Sequence, residues 1–190
     1  KDIPVSQLLV DKHPKSLIAE AFRSIRTNLH TSNSEPGPKV IAITSTVSGE
    51  GKTFVAINLS GIIAFSDKKV VILDLDLRKP KIHLGFNYDN EHGISTILSG
   101  KDKLEDCINK STIPNMDVIT AGPIPPNPSE MILSQQMQDL IEKLKLKYDM
   151  IVIDNPPVGI VTDGISIIQQ ADYPIYVFRA NSSKKNYISN

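Results

Sequence analysis

At 190 residues the chain is long enough for one well-buried domain, and its 21 Lys and Arg balance 21 Asp and Glu, which leaves no electrostatic footprint for nucleic acid. One cysteine, Cys107, excludes an internal disulfide framework and suits a reducing compartment. No apolar run reaches the roughly 18 residues a membrane span needs, and Lys1-Asp-Ile-Pro-Val-Ser6 lacks the apolar centre of a signal peptide.

Residues 1–15 read as an irregular lead-in, and a helix is expected from about Pro14, since Pro suits the first helical position. Leu17, Ile18, Ala21, Phe22, Ile25 and Leu29 recur on one face at the helical period. Glu20, Arg23 and Arg26 step by three along another face; most such stripes are simply solvated. Residues 31–38 carry Asn, Ser, Gly and two Pro and read as a loop.

Residues 40–43 then read as a short buried strand and residues 54–65 as a buried helix. The turn between them is Ser48-Gly49-Glu50-Gly51-Lys52-Thr53, the layout of a phosphate-binding loop. Backbone N–H groups from Ser48 to Phe54, with the positive helix N-terminus, are placed to hold phosphate oxygens. In that role Lys52 reaches the β- and γ-phosphates and the Thr53 hydroxyl takes Mg²⁺. The strict pattern asks for Gly six residues before the lysine, and this chain has Thr46.

Downstream, four apolar residues from Val70 read as a buried parallel strand closed by Asp74, with Asp76 and Arg78 just beyond. Residues 81–115 form a mixed connection in which 94–98 and 104–108 suit short helices, and residues 116–120 suit a strand. Asn127, Pro128 and Glu130 then fit the cap and first turn of a helix with Leu133, Met137, Leu140, Ile141 and Leu144 on one face, ending near Lys147. A fourth strand, 150–154, again ends in aspartate, Asp154. Asp163 is placed to cap a helix through Gln170, and residues 173–178 read as a fifth strand. The alternation predicts an α/β fold, one P-loop NTPase domain with a mostly parallel central sheet flanked by helices. Ligands of such sheets bind at the C-terminal strand ends, so Lys52, Thr53, Asp74, Asp76 and Asp154 are expected to converge on one Mg²⁺–nucleotide, although a lone strand-end aspartate often only caps a turn.

Together, Ser48–Thr53, Val71-Ile-Leu-Asp-Leu-Asp-Leu-Arg-Lys-Pro80 and Ile151-Val-Ile-Asp-Asn-Pro-Pro157 resemble the Walker A, Walker A′ and Walker B motifs of bacterial tyrosine kinases of capsule and exopolysaccharide systems. Glu20-Ala-Phe-Arg-Ser-Ile-Arg26 is similar to that family's E-x-x-R-x-x-R helix, and Gly122–Glu130 and Thr162-Asp163 also match. The resemblance covers about residues 14–180. It implies ATP or ADP with Mg²⁺ as cofactors, with Lys52 on the terminal phosphates and Thr53, Asp154 and Asp74 about the metal. It also implies that Asp74 accepts the tyrosine proton or helps hold the metal, with Asp76 in support. Arg78 then either stabilises transferred charge or pins the loop.

As partners the resemblance implies a ring-like homo-oligomer built through Glu20, Arg23 and Arg26, a membrane-embedded co-polymerase, fused or separate, and protein tyrosine substrates. As location it implies the cytoplasmic face of the cell membrane. Partitioning-type ATPases, the rival enzyme class, carry a signature lysine where this chain has Val47. A non-enzymatic assembly module is the other rival. The chain starts without Met and has a single near-terminal tyrosine, Tyr187, where the family carries several. It is therefore expected to be a single kinase domain, residues 1–190, cut from a longer protein and lacking the final helix, strand and tyrosine-rich tail.

Overall fold

The computed structural model describes residues 8–32, 35–162, 164–181 and 183. Their frame is a six-stranded sheet in the order β3-β4-β2-β5-β1-β6, formed by β1 (Lys39–Ser45), β2 (Val70–Asp74), β3 (Asn109–Lys110), β4 (Met116–Ile119), β5 (Met150–Asp154) and β6 (Tyr173–Val177). All pairings are parallel except that of β3 with β4. Every residue of β1, β2 and β4 is buried, because helices cover both faces.

One face of the sheet packs Ile41, Ile43, Ile72 and Val152 against α2 (Leu17–Ser32) and α3 (Lys52–Ala64). The other packs Ala42, Leu73 and Ile153 against α5 (Ile94–Leu98), α6 (Pro128–Ile132), α7 (Gln135–Lys145) and α8 (Ile165–Gln170). α3 is apolar nearly all round and buried at 11 of its 13 positions, as befits a helix wedged between the sheet and α2. Two short helices, α1 (Leu9–Lys12) and α4 (Ile82–Phe86), complete the set.

The structure departs from the sequence reading at several points. The lead-in is not wholly irregular, since α1 buries Val10 against α3 and its Val10 N–H bonds the Asn58 side chain at 3.2 Å. On α2 the buried positions are Ala19 and Phe22, with Leu29 packed beside them. Leu17 is 91% exposed and Ile18 and Ile25 also face out, so the apolar residues divide into an inner face and an outer stripe. The long helix expected after Asn127 is two, because Ser134 accepts the Met137 N–H and starts α7 afresh. Leu133 sits at that break, 56% exposed. The second predicted short helix, 104–108, is a 3-10 turn over Leu104–Cys107, and the two-residue β3 was not anticipated. Asp163 and Tyr187 lie outside the described residues.

Candidate active site

β1 delivers the chain directly into the loop. Its partner β5 aligns Asp154 with Ile43 on one side and with Asp74 of β2 on the other, so both aspartates end side by side. The loop runs straight into α3, whose first helical bond runs from the Val55 N–H to the Gly51 carbonyl at 2.9 Å. The N–H groups of the first turn therefore face the loop without helical partners. Gly49 (φ 90°) and Gly51 (φ 100°) both take the left-handed region, with open space where side chains would stand. A Cβ there would be strained and would narrow the concavity that backbone donors line.

Lys52 lies 6% exposed, its Nζ 3.2 Å from Asp76 Oδ2 and 3.7 Å from Asp154 Oδ1. Burial opposes its charge, but Asp154 and Asp76 outweigh that and hold its pKa above the usual lysine value. The Thr53 hydroxyl donates to Asp154 Oδ2 at 2.6 Å. The other Asp154 oxygen, Oδ1, is buried without a hydrogen-bond donor. Burial raises the Asp154 pKa, with Lys52 and the Thr53 hydroxyl working the other way.

Asp74, fully buried, is differently used. Its Oδ1 accepts the Asp76 N–H at 3.2 Å, and its Oδ2 accepts the N–H groups of Lys81 and Ile82, both at 2.9 Å, at the start of α4. Burial and the adjacent Asp154 charge push its pKa up to about 7. Asp76 divides its oxygens between Lys52 and the Lys79 N–H. Arg78 donates from Nη2 to Ser129 Oγ at 2.8 Å at the head of α6. That contact ties the turn after β2 to α6.

Two residues expected at the nucleotide serve differently through their side chains. Phe54 packs on Phe22, ring centres 6.1 Å apart, so only its backbone faces the loop. Glu50 turns back: Oε2 accepts the Val47 N–H at 2.9 Å and Oε1 meets the Ser183 hydroxyl. Ser48 is exposed at the loop's outer rim. Three loop contacts come from β6 and beyond and had no sequence signal: Tyr176 hydroxyl on Thr46 Oγ1 (2.7 Å), Arg179 on the Gly49 carbonyl (3.2 Å) and Ser183 on Glu50. Glu20 and Arg23 pair with each other on exposed α2, while Arg26 donates to the Ile62 carbonyl of α3 at 3.1 Å.

The donor set fits Mg²⁺ held together with substrate phosphates. The described residues contain no cluster of three or more His, Cys, Asp or Glu side chains able to cage a metal alone. Mg²⁺ ordinarily takes only one or two protein oxygens and completes its shell with phosphate and water. Asp154 Oδ1, which accepts no hydrogen bond, and the neighbouring Thr53 hydroxyl supply that minimal set.

Loop, helix and strand-end carboxylates define a P-loop nucleotide-binding domain. Residues 38–182 match a family model described as an AAA domain. The chain is 38% identical to the tyrosine-protein kinase YwqD of Bacillus subtilis over 172 residues, covering 90% of this chain and 73% of that one. It superposes on the kinase domain of Escherichia coli tyrosine kinase ETK with a TM-score of 0.91 and 36% identity, covering 100% of this chain and 73% of that chain. The whole etk protein is longer, and this chain spans 26% of it. The septum site-determining protein MinD of Pyrococcus horikoshii, complexed with Mg-ADP, matches at a TM-score of 0.63 and 29% identity over 74% of this chain and 57% of that one. The chain belongs to the bacterial tyrosine-protein kinases. Among the described residues no helix is long and apolar enough to cross a membrane.

Proposed function

We propose that the chain transfers the γ-phosphoryl group of MgATP to tyrosine hydroxyls, on its own kind and on neighbouring proteins, in a polysaccharide-producing system at the cytoplasmic face of a membrane. The observation that carries this reading is the convergence of Lys52, Thr53, Asp74, Asp76 and Asp154 at the mouth of the loop.

The first-turn N–H groups of α3 and the glycine-rich loop bind the phosphate chain. Lys52, held by Asp76 and Asp154 at rest, moves its ammonium onto the β- and γ-oxygens when phosphate arrives. Thr53 and Asp154 would hold Mg²⁺, which when bound would supply positive charge against the oxygens of the group being transferred. Asp74, with a pKa near neutrality, accepts the proton of the attacking tyrosine as the oxygen–phosphorus bond forms and ADP leaves. Its three backbone donors fix the carboxylate's orientation, and Asp76 fixes the turn that carries it. Phosphoryl transfer depends mainly on such positioning and charge neutralisation.

Ring-like self-association is part of the proposal. Its surface is the outer stripe of α2, where Leu17, Ile18 and Ile25 lie exposed beside Glu20 and Arg23. A membrane-embedded co-polymerase, fused or separate, is the expected activating partner. The test is transfer to a tyrosine-containing acceptor: Asp74→Asn is expected to keep nucleotide affinity and lose phosphotyrosine formation, read by mass spectrometry. A variant that still phosphorylates at the wild-type rate removes Asp74 from the chemistry.

A further inference from the structure

The sheet has a second pole. Where β1, β2 and β5 begin, away from the phosphate loop at the other end of the strands, lies a cavity of about 880 Å³. It is walled by the C-terminal half of α2, the end of α3 and the segments 35–39, 66–69 and 145–150. This is within the size range of sites for small organic ligands.

Its lining is cationic. Arg26, Lys39, Lys68, Lys69, Lys145 and Lys147 line it, against the two carboxylates of Glu35 and Asp149. The chain as a whole balances its charges, so this excess reflects placement rather than composition. Lys145 and Lys147 already have partners, Glu142 at 2.8 Å and Glu105 at 2.6 Å. Asp149 accepts the backbone N–H of Lys69 at 2.8 Å. The ammonium groups of Lys39, Lys68 and Lys69 have no carboxylate within ion-pair distance among the described residues. Like charges gathered round a concavity repel one another and raise the local concentration of anions. Leu29, Ile63, Met150 and Tyr173 give the same cavity apolar walls.

We propose that this cavity binds a phosphate-bearing organic molecule, its phosphate held by Lys39, Lys68 and Lys69 and its carbon body laid on the apolar wall. A phosphate brings close to two negative charges and three acceptor oxygens, which matches several unpaired ammonium groups better than a single carboxylate does. The ligand is either a soluble phosphorylated metabolite or a phospholipid headgroup, since both present the same group. The site is separate from the phosphate loop and does not rest on the kinase reading.

The test keeps the loop filled with saturating MgADP and titrates the chain with fructose 1,6-bisphosphate by calorimetry, and with phosphatidylglycerol against phosphatidylcholine vesicles by co-sedimentation. Wild-type chain is expected to bind the bisphosphate, the phosphatidylglycerol vesicles, or both. Lys68→Gln/Lys69→Gln is expected to weaken that binding at least about tenfold, while Lys145→Gln/Lys147→Gln, whose lysines are already paired, changes it less. Unchanged MgADP affinity in the Lys68/Lys69 variant shows that it is folded. Bisphosphate binding lost in that variant assigns a soluble ligand; vesicle binding lost without bisphosphate binding assigns a headgroup. Binding of neither probe, or equal binding by wild type and the Lys68/Lys69 variant, overturns the proposal.

Discussion

At the scale of single residues the site separates three carboxylates that the sequence presents alike. Lys52 is the charge the phosphates need, so Lys52→Met is expected to weaken ADP binding at least about tenfold, roughly 1.4 kcal/mol, by calorimetry. Unchanged affinity in a folded variant would remove the phosphate-loop assignment. Asp154, with one oxygen on the Thr53 hydroxyl and the other accepting no hydrogen bond, is the group proposed for the metal side. Asp154→Asn is therefore expected to raise the Mg²⁺ concentration needed for nucleotide binding, whereas Asp74→Asn leaves it nearly unchanged; identical shifts in both variants would erase the distinction. Asp74 also carries a pH signature. Its folded pKa, about 7, lies above the ordinary carboxyl value, so the folded state holds this proton more tightly than the unfolded chain. The resulting stability is fully present below about pH 4, where both states are protonated, and is lost as pH rises through about 7. In nucleotide-free melts, wild type is expected to lose Tm relative to Asp74→Asn between pH 5 and 8. Parallel profiles for the two proteins would show that Asp74 ionises without cost.

At the scale of elements, α2 has two jobs. Phe22 and Arg26 tie it to α3, through Phe54 and the Ile62 carbonyl, while Glu20 and Arg23 pair on the outside. Arg26→Ala is thus expected to cost about 1 kcal/mol of stability, the worth of one hydrogen bond, whatever the oligomeric state. Leu17→Asp combined with Arg23→Glu is expected to dissolve rings with only a small change in Tm, because Leu17 is exposed and Arg23 is held only by surface contacts to Glu20 and the Pro14 carbonyl. Light scattering at matched concentration decides: an unchanged mass returns the stripe to a solvated face. The sheet strands and α3 were legible in the sequence because buried parallel strands are short apolar runs and α3 is apolar throughout. The α6–α7 break was not, since Leu133 and Met137 keep the helical period across Ser134 and a cap inside a periodic run is silent. β3 was hidden because two residues hold no period. Gly93 marks another silent constraint: a Cβ there would stand 2.2 Å from the Thr120 carbonyl oxygen, at the N-terminus of α5. Gly93→Ala is expected to lower Tm by several degrees by forcing α5 off the end of β4.

For the whole molecule, what the loop, the two strand-end aspartates and Lys52 share is that each motif lies within ten or so residues and could be read locally. Contacts assembled from distant segments could not be: Arg179 and Ser183 reach the loop across 130 and 133 residues, and the basic cavity draws on five stretches of chain. The same distinction separates kinase from ATPase, because a fold shared with MinD at a TM-score of 0.63 does not say whether water or a hydroxyl attacks. Val47 does say something. Partitioning-type enzymes are expected to place a lysine there to neutralise charge on the group being transferred, and valine offers neither charge nor donor. Without it, attack by water has less assistance, whereas a tyrosine held in line beside Asp74 gains from proximity. Among the described residues Tyr88 donates its hydroxyl to the Lys110 carbonyl, Tyr148 donates to Asp117, Tyr176 bonds Thr46 Oγ1 and Tyr173 is buried, so their hydroxyls are poor acceptors. Self-phosphorylation of this chain is therefore expected to be weak. A tyrosine-rich segment joined after Asn190 should be phosphorylated readily, in trans, by a second copy carrying an intact Lys52. Mass spectrometry of a mixture of Lys52→Met chain bearing the tail and tail-less wild type, incubated with MgATP, reads this directly. Phosphotyrosine on the inactive partner's tail identifies transfer between chains; brisk release of inorganic phosphate with no phosphotyrosine would mean that water, not tyrosine, is the acceptor.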